Sequence, residues 1–263
     1  MKNPIIVMNF SNVYEKENFY KDQEFQWIDC KNISGTNCYC DEIAENELRK
    51  LMNPYSPYGI HFIDSGNYHY VSKLWVDKIT EPFSLMLFDH HTDMQPPAFG
   101  NVLSCGSWVK DIMNHPCLNK VYLLGIDEKY IFSVLNLYKD KAVWFSEREL
   151  ENKKTLKWFK NLHKKEAIYI SIDKDILSPE TVKTNWDQGN VSLETLSNLL
   201  RIVLYNQRII GMDICGECSD VLQNGRDTKL FLNHDKVNLF LLKEFLHMEH
   251  LYQIKESSGY NSR

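Results

Sequence analysis

No stretch of this 263-residue chain approaches the ~18 consecutive apolar residues that a membrane-spanning helix requires. The opening MKNPIIVMNF has an apolar run too short for the core of a secretory signal, and it lacks a small-residue cleavage site. There is no excess of positive charge. Thirty Lys and Arg against 35 Asp and Glu leave a net charge of -5, and the basic residues are scattered apart from short clusters such as Lys164-Lys165. This gives no reason to expect nucleic acid or a membrane as a partner. Internal repeats, low-complexity tracts and a visible linker are all missing, so the expectation is one domain over residues 1–263. Seven cysteines, an odd number, suit reduced thiols better than a disulfide framework, and a cytoplasmic location is expected.

What is present is 43% apolar and 25% charged residues, an ordinary globular balance. Seven short runs are nearly continuous in hydrophobicity: Pro4–Phe10, Gly59–Ile63, Phe83–Phe88, Lys120–Leu124, Ala142–Phe145, Ala167–Ile172 and Arg208–Ile214. Strands buried on both faces of a parallel sheet read this way. Helix-length segments lie between them. Glu42–Leu51 has helical apolar spacing. Ser192–Leu204 has Ser192 as its expected N-cap, Glu194 in its first turn, and Leu193, Leu196, Leu199, Leu200 and Val203 on one face. A third segment, Asp227–His250, is rich in Leu, Phe and Lys. Alternating strands and helices predict an α/β class with a doubly wound sheet. The polar segment Asp22–Cys40 is expected to be loop, and the tail Ser257–Arg263 to fray.

Two of the buried runs end in acids. Leu85–Phe88 leads directly into Asp89-His90-His91-Thr92-Asp93, where Asp89, His91 and Asp93 occupy alternate positions. An extended backbone would project all three to one side. Carboxylates with an imidazole suit Mn(II), Fe(II) or Zn(II). A polar turn after a strand is the plainer reading, yet two His and two Asp within five residues exceed what a turn needs. Ala167–Ile172 leads into Asp173-Lys174-Asp175. Two close carboxylates repel unless a cation lies between them. Asp-x-Asp alone is common in loops; its weight here comes from a second acidic strand end on the same sheet edge. A third element, Ile63-Asp64-Ser65-Gly66-Asn67-Tyr68-His69, supplies His69 as a further candidate ligand. Taken alone, such a His is more often a structural hydrogen-bonding residue.

These blocks resemble the arginase/agmatinase (ureohydrolase) superfamily, and the similarity runs roughly from Gly59 to Asp220. The family's Asp-Ala-His-x-Asp reads Asp89-His90-His91-Thr92-Asp93. Its Ser-x-Asp-x-Asp-x-x-x-Pro reads Ser171-Ile172-Asp173-Lys174-Asp175-Ile176-Leu177-Ser178-Pro179. Its Gly-Gly-Asp-His-Ser is matched only in part, by Gly66-Asn67-Tyr68-His69. The resemblance implies a three-layer α/β/α fold and two Mn(II) per chain. One metal would take His69, Asp89, Asp93 and Asp173, and the other His91, Asp89, Asp173 and Asp175, with Asp89 and Asp173 bridging. It further implies metal-activated water that attacks a guanidinium carbon and releases urea. Relatives are often trimers or hexamers, so a homo-oligomer is an expectation of the resemblance alone.

The chain also departs from the family. Where family arginases carry a proton-shuttling His-Gly, this sequence has Cys105-Gly106 within Gly100-Asn101-Val102-Leu103-Ser104-Cys105-Gly106-Ser107-Trp108. Cys105 is a candidate substitute acid/base, or equally a small packing residue. The family glutamate that faces the guanidinium corresponds to Glu217 with one residue of offset, and Asp213 reads as a structural or supporting acid. The candidate catalytic residues are therefore Glu217, Cys105 and Asp93. The candidate substrate contacts are Asn101, Ser104, Trp186, Asp187 and Glu217. Cys215-x-x-Cys218 lacks a second pair at zinc-site spacing, and Cys30, Cys38 and Cys40 lack a clear fourth ligand. Ser-Gly-Asn-Tyr-His, Asp-His-His-Thr-Asp, Ser-Cys-Gly-Ser-Trp and Thr-Asn-Trp-Asp-Gln-Gly together resemble the divergent branch that includes peptide arginases, which convert arginine residues in a peptide to ornithine. Two other readings share the architecture: a zinc-dependent deacetylase-type amidohydrolase with one metal, and a non-catalytic metal-binding relative.

Overall fold

The computed structural model describes residues 4–97, 99–100, 102–131, 138–162, 167–219 and 228–257, with side chains described to His247 on the last helix. The elements are β1 (Ile5–Asn9), β2 (Gln26–Asp29), β3 (Tyr39–Cys40), α1 (Glu42–Met52), β4 (Ile60–Phe62), α2 (Val71–Val76), β5 (Phe83–Phe88), β6 (Leu103–Ser104), α3 (Trp108–Ile112), β7 (Leu118–Ile126), β8 (Ala142–Ser146), α4 (Lys153–Lys160), β9 (Ala167–Asp173), α5 (Leu193–Asn206), β10 (Arg208–Cys215) and α6 (Thr228–Ser257). Eight strands form one sheet in the order β2-β1-β4-β10-β9-β5-β7-β8, with every pairing parallel. The short β3 and β6 form a separate antiparallel pair.

Successive residues of each strand feed opposite layers. On β5, Leu85 and Leu87 join one apolar cluster with α1, α2 and α3, while Met86 and Phe88 join the other with α4, α5 and α6. Both faces are covered, which is why the strands read as continuous apolar runs. The architecture is a three-layer α/β/α sandwich. All seven expected strands are present. The eighth, β2, lies within the segment expected to be loop. It is an edge strand with only Ile28 fully buried, so its polar sequence carries no buried-strand signature. Asp41 and Ser192 cap α1 and α5 by accepting from the backbone N–H of Ala44 and Thr195. The last helix begins one residue after the expected Asp227 and continues to Ser257; Asp227 itself and residues 258–263 lie outside the described residues. No described helix is long and apolar enough to cross a membrane.

Candidate metal centre

Four adjacent central strands, β4, β10, β9 and β5, run parallel, so their carboxyl ends open onto one sheet edge. That edge is where open α/β sheets bind ligands. Asp89 follows β5, Asp173 ends β9, Cys215 ends β10, and His69 follows β4 by one 3-10 turn. The six ligands expected from sequence come together here. His69 Nδ1 lies 2.9 Å from Asp93 Oδ2, 3.3 Å from Asp89 Oδ2 and 3.5 Å from Asp173 Oδ2. His91 Nδ1 lies 2.9 Å from Asp175 Oδ2 and 3.5 Å from Asp89 Oδ1. Asp89 thus presents one oxygen to each histidine, the arrangement of a bridging carboxylate. Three overlapping sets could each hold a metal ion: His69-Asp89-Asp93, Asp89-His91-Asp175 and His69-Asp173-Cys215.

The local backbone differs from the extended path expected for residues 89–93. Asp89 Oδ1 accepts the N–H of His91 at 2.6 Å, and Asp93 sits in the left-handed region at φ 48°. The second motif repeats the device: Asp173 Oδ1 accepts the N–H of Asp175 at 2.9 Å as the chain enters the 3-10 turn Lys174–Ile176. Each aspartate turns its own chain, and the alternate carboxylates converge through the turn and not through a pleat. The left-handed conformation is uncommon for a residue bearing a Cβ, and packing holds it. Trp108 Nε1 donates to Asp93 Oδ2 at 2.6 Å, and Val109 N–H donates to Asp93 O at 3.0 Å. Trp108 is a positioning residue that the sequence did not single out; only its place in the departing Ser104–Trp108 block pointed to it.

His69 is aimed by a relay. Ser171 Oγ donates to buried Asp213 at 2.6 Å, so it accepts from His69 Nε2 at 2.9 Å. The Nε2–H tautomer is thereby set, and Nδ1 points into the carboxylates. A neutral Nδ1 would there set a lone pair against three acids. Burial works against charging His69, but Cys215, Asp89 and Asp93 outweigh it and hold its pKa well above the ordinary 6.5. His91 follows the same rule: burial lowers it, but Asp175 and Asp89 push it up to about 12. Among the acids, burial and the Asp89 charge raise Asp93 to about 6 and also raise Asp173. Burial and the charges of Asp173 and Asp89 raise Asp175. Without cations this site is held together by protons. Two divalent cations would balance four ionised aspartates and leave both imidazoles neutral, the protonation state that metal ligation needs.

Above these groups lies a cavity of about 510 Å³, within the range of small-molecule sites. Ser104, Cys105, Trp186 and Asp187 all line it. Ser104 Oγ donates to Ser107 Oγ at 2.8 Å. Cys105 is held protonated: its contact with Cys38 and then burial both push its thiol far up, which disfavours a base at neutral pH. Trp186 is 40% exposed and donates Nε1–H to Asn67 at 2.9 Å, forming a wall of the cleft. Gly66 is required beneath it, since a Cβ there would lie 2.9 Å from Trp186 and 2.8 Å from Asp173 Oδ2. Asp187 is engaged by Lys129 at 2.8 Å. Asn101 lies outside the described residues.

Glu217 is not placed where a substrate contact was expected. It is fully buried, does not line the cavity, is bound by Lys174 and by Asn238 Nδ2 at 2.8 Å, and lies 2.7 Å from His234 Nδ1. Burial opposes its ionisation, but His234 and Lys174 prevail and hold its pKa below the ordinary value. Gly216 adopts φ +92° against Asp173, and Glu217 then pairs alongside Ser65 after β4, its N–H donating to Asp64 O at 3.0 Å. Lys174, between Asp173 and Asp175, directs its ammonium into this cluster. Cys30 and Cys40 are buried in the core beside α1, and among the described residues the Cys30, Cys38 and Cys40 thiols form no metal-binding group.

Comparisons with known proteins bear on the fold and the family. A protein from Thermotoga maritima, described as uncharacterized, is 30% identical over 253 residues, covering 96% of this chain and 93% of that one. Among solved structures, the agmatine ureohydrolase of Thermoplasma volcanium superposes with a TM-score of 0.65 at 13% identity, covering 97% of this chain and 92% of that one. The Trypanosoma cruzi formiminoglutamase, solved with Mn2+, superposes with a TM-score of 0.63 at 10% identity, covering 92% and 94%. At such identities these two show the fold alone. A sequence model described as Arginase family matches residues 8–233, and with that match and the shared fold the chain belongs to the arginase family of hydrolases.

Proposed function

We propose that this protein is a binuclear, Mn(II)-dependent ureohydrolase that cleaves the guanidino group of an arginine residue carried in a peptide, leaving ornithine and releasing urea. The observation that carries the metal-dependent part is the convergence of four buried aspartates on His69 and His91, with Asp89 divided between the two histidines. When bound, two cations would lower the pKa of a shared water and stabilise the charge that develops at the attacked carbon. Mn(II) suits the carboxylate-rich donor set, and it is the metal named with the T. cruzi formiminoglutamase structure.

The chain's own groups supply the rest. His69, fixed by Ser171 and Asp213, and His91, held beside Asp175, keep the ligand set in place. The reaction adds one water across the guanidinium C–N bond; the ornithine nitrogen leaves as an amine and takes up a proton. Outside the six candidate ligands, Asp187 is the lining carboxylate that could face a guanidinium, in exchange for its 2.8 Å pairing with Lys129, whereas Glu217 is spent on Lys174. A peptide substrate is favoured by the lining of the cavity. Tyr39, Tyr130, Trp186 and Pro96-Pro97 give apolar walls, and no Lys or Arg lines it among the described residues. A peptide-borne arginine brings no free α-carboxylate to be matched, and its neighbouring residues can pack on these apolar walls.

The direct test is urea release from Mn-loaded protein offered an arginine-containing peptide and, separately, free arginine. Urea from the peptide, with ornithine found in its place by mass spectrometry, is expected, and at a higher kcat/KM than for free arginine. No urea from any guanidino compound with the metal sites filled would refute the assignment. Urea from free arginine alone would refute the peptide part only.

A further inference from the structure

The two metal positions are not chemically equal. One is bounded by Asp89, His91 and Asp175, which offer only oxygen and nitrogen. The other, around His69 and Asp173, also has a sulfur. Cys215 ends β10 with no solvent exposure, and its Sγ lies 3.1 Å from Asp173 Oδ2. The ligand atoms of His69, Asp173 and Cys215 all lie within 4.8 Å of one another. A metal holding nitrogen and oxygen at about 2.1 Å and sulfur at about 2.3 Å separates neighbouring donors by roughly 3 to 3.6 Å. The observed 3.1 Å from Cys215 to Asp173 and 3.5 Å from His69 to Asp173 fall in that range.

The close approach of Cys215 is built into the backbone. The next residue, Gly216, has φ +92°, and a Cβ there would stand 2.5 Å from Asp173 Oδ1 and 2.7 Å from Lys174 N. Only glycine lets the end of β10 pass directly against the Asp173 carboxylate. Of the Cys215-x-x-Cys218 pair, it is Cys215 that stands with His69 and Asp173 at the candidate metal centre.

We propose that Cys215 is a sulfur ligand of the metal position nearest His69, and that it makes this position hold Zn(II), Fe(II) or Co(II) more tightly than the His91 position does, while either position can accept Mn(II). On metal entry the thiol proton leaves to solvent and the sulfur takes the place it now occupies beside Asp173. Sulfur donors favour softer ions, and carboxylates harder ones. The inference rests on the two-metal reading above and assigns a ligand that reading does not contain.

The test uses the full-length metal-free protein titrated with Co(II), followed by absorbance and calorimetry. The parent should develop a sulfur-to-cobalt charge-transfer band in the near ultraviolet as its tighter position fills. Cys215→Ser should lack the band and bind cobalt at that position at least about 10-fold more weakly, with the other position unchanged. Should neither Cys215→Ser nor Cys215→Ala fold, X-ray absorption on the cobalt-loaded parent decides: a sulfur scatterer at about 2.3 Å is expected. Cobalt bound without the band and without that scatterer overturns the proposal and leaves the two-metal reading standing. A band that survives Cys215→Ser assigns the sulfur elsewhere and also overturns it. A parent that binds no cobalt removes the metal centre itself.

Discussion

At the scale of single residues, the site is governed by which charge neutralises its aspartates. In the metal-free protein the imidazolium of His91 does so, with its pKa raised from 6.5 to about 12. A raised histidine contributes stability that is complete below pH 6.5 and is lost as pH climbs toward 12. The metal-free protein should therefore lose stability across that interval. Metal affinity should rise over the same interval, because the metal displaces the proton. Thermal unfolding with and without Mn(II) across pH 6 to 9 (roughly the window where both forms can be handled) checks both slopes, and parallel slopes would contradict the site. Beside the aspartates, Lys174 and Glu217 form a buried pair with His234 and Asn238 around them, and Asn238 also donates to buried Glu17 at 2.7 Å. Removing one partner leaves a buried charge poorly compensated, so Lys174→Met should cost about 3–5 kcal/mol in denaturant unfolding. A loss below about 1 kcal/mol would mean the pair is not a strut of this fold.

At the scale of elements, the strand ends do the positioning, and glycine controls how closely they meet. Gly216→Ala combines a left-handed backbone with a Cβ placed 2.5 Å from Asp173 Oδ1. It should destabilise the protein by more than the ~1–2 kcal/mol of conformational strain alone, and it should weaken metal binding by moving Asp173. Unchanged metal affinity in a folded Gly216→Ala protein would show that Asp173 tolerates displacement. Elements with strong local signals were legible in the sequence. The seven strands with continuous apolar runs, the Ser192 cap of α5 and the acid-bearing ends of β5 and β9 each follow from patterns within a few residues. Those that depend on distant partners were not. β2 is a polar edge strand whose existence is decided by β1. The burial of Glu217 is decided by Lys174 and Asn238, both distant from it in the chain. Trp108 acquires its role only when α3 packs under Asp93. The left-handed Asp93 replaces an extended path that alternate spacing alone would suggest.

At the scale of the whole molecule, a parallel sheet covered on both faces leaves its carboxyl edge as the place where polar side chains can gather, and four central strands deliver their ligands there. The α6 helix joins this edge to the far layer through His234 and Asn238, so the long C-terminal helix braces the centre as well as burying Val237, Leu241 and Leu242. The central claim is that this edge holds a pair of metal ions. The most direct measurement is metal content per chain, by elemental analysis of the purified protein after loading with Mn(II) and removal of free ion. Two ions per chain are expected; a single ion, or none, would contradict the paired site.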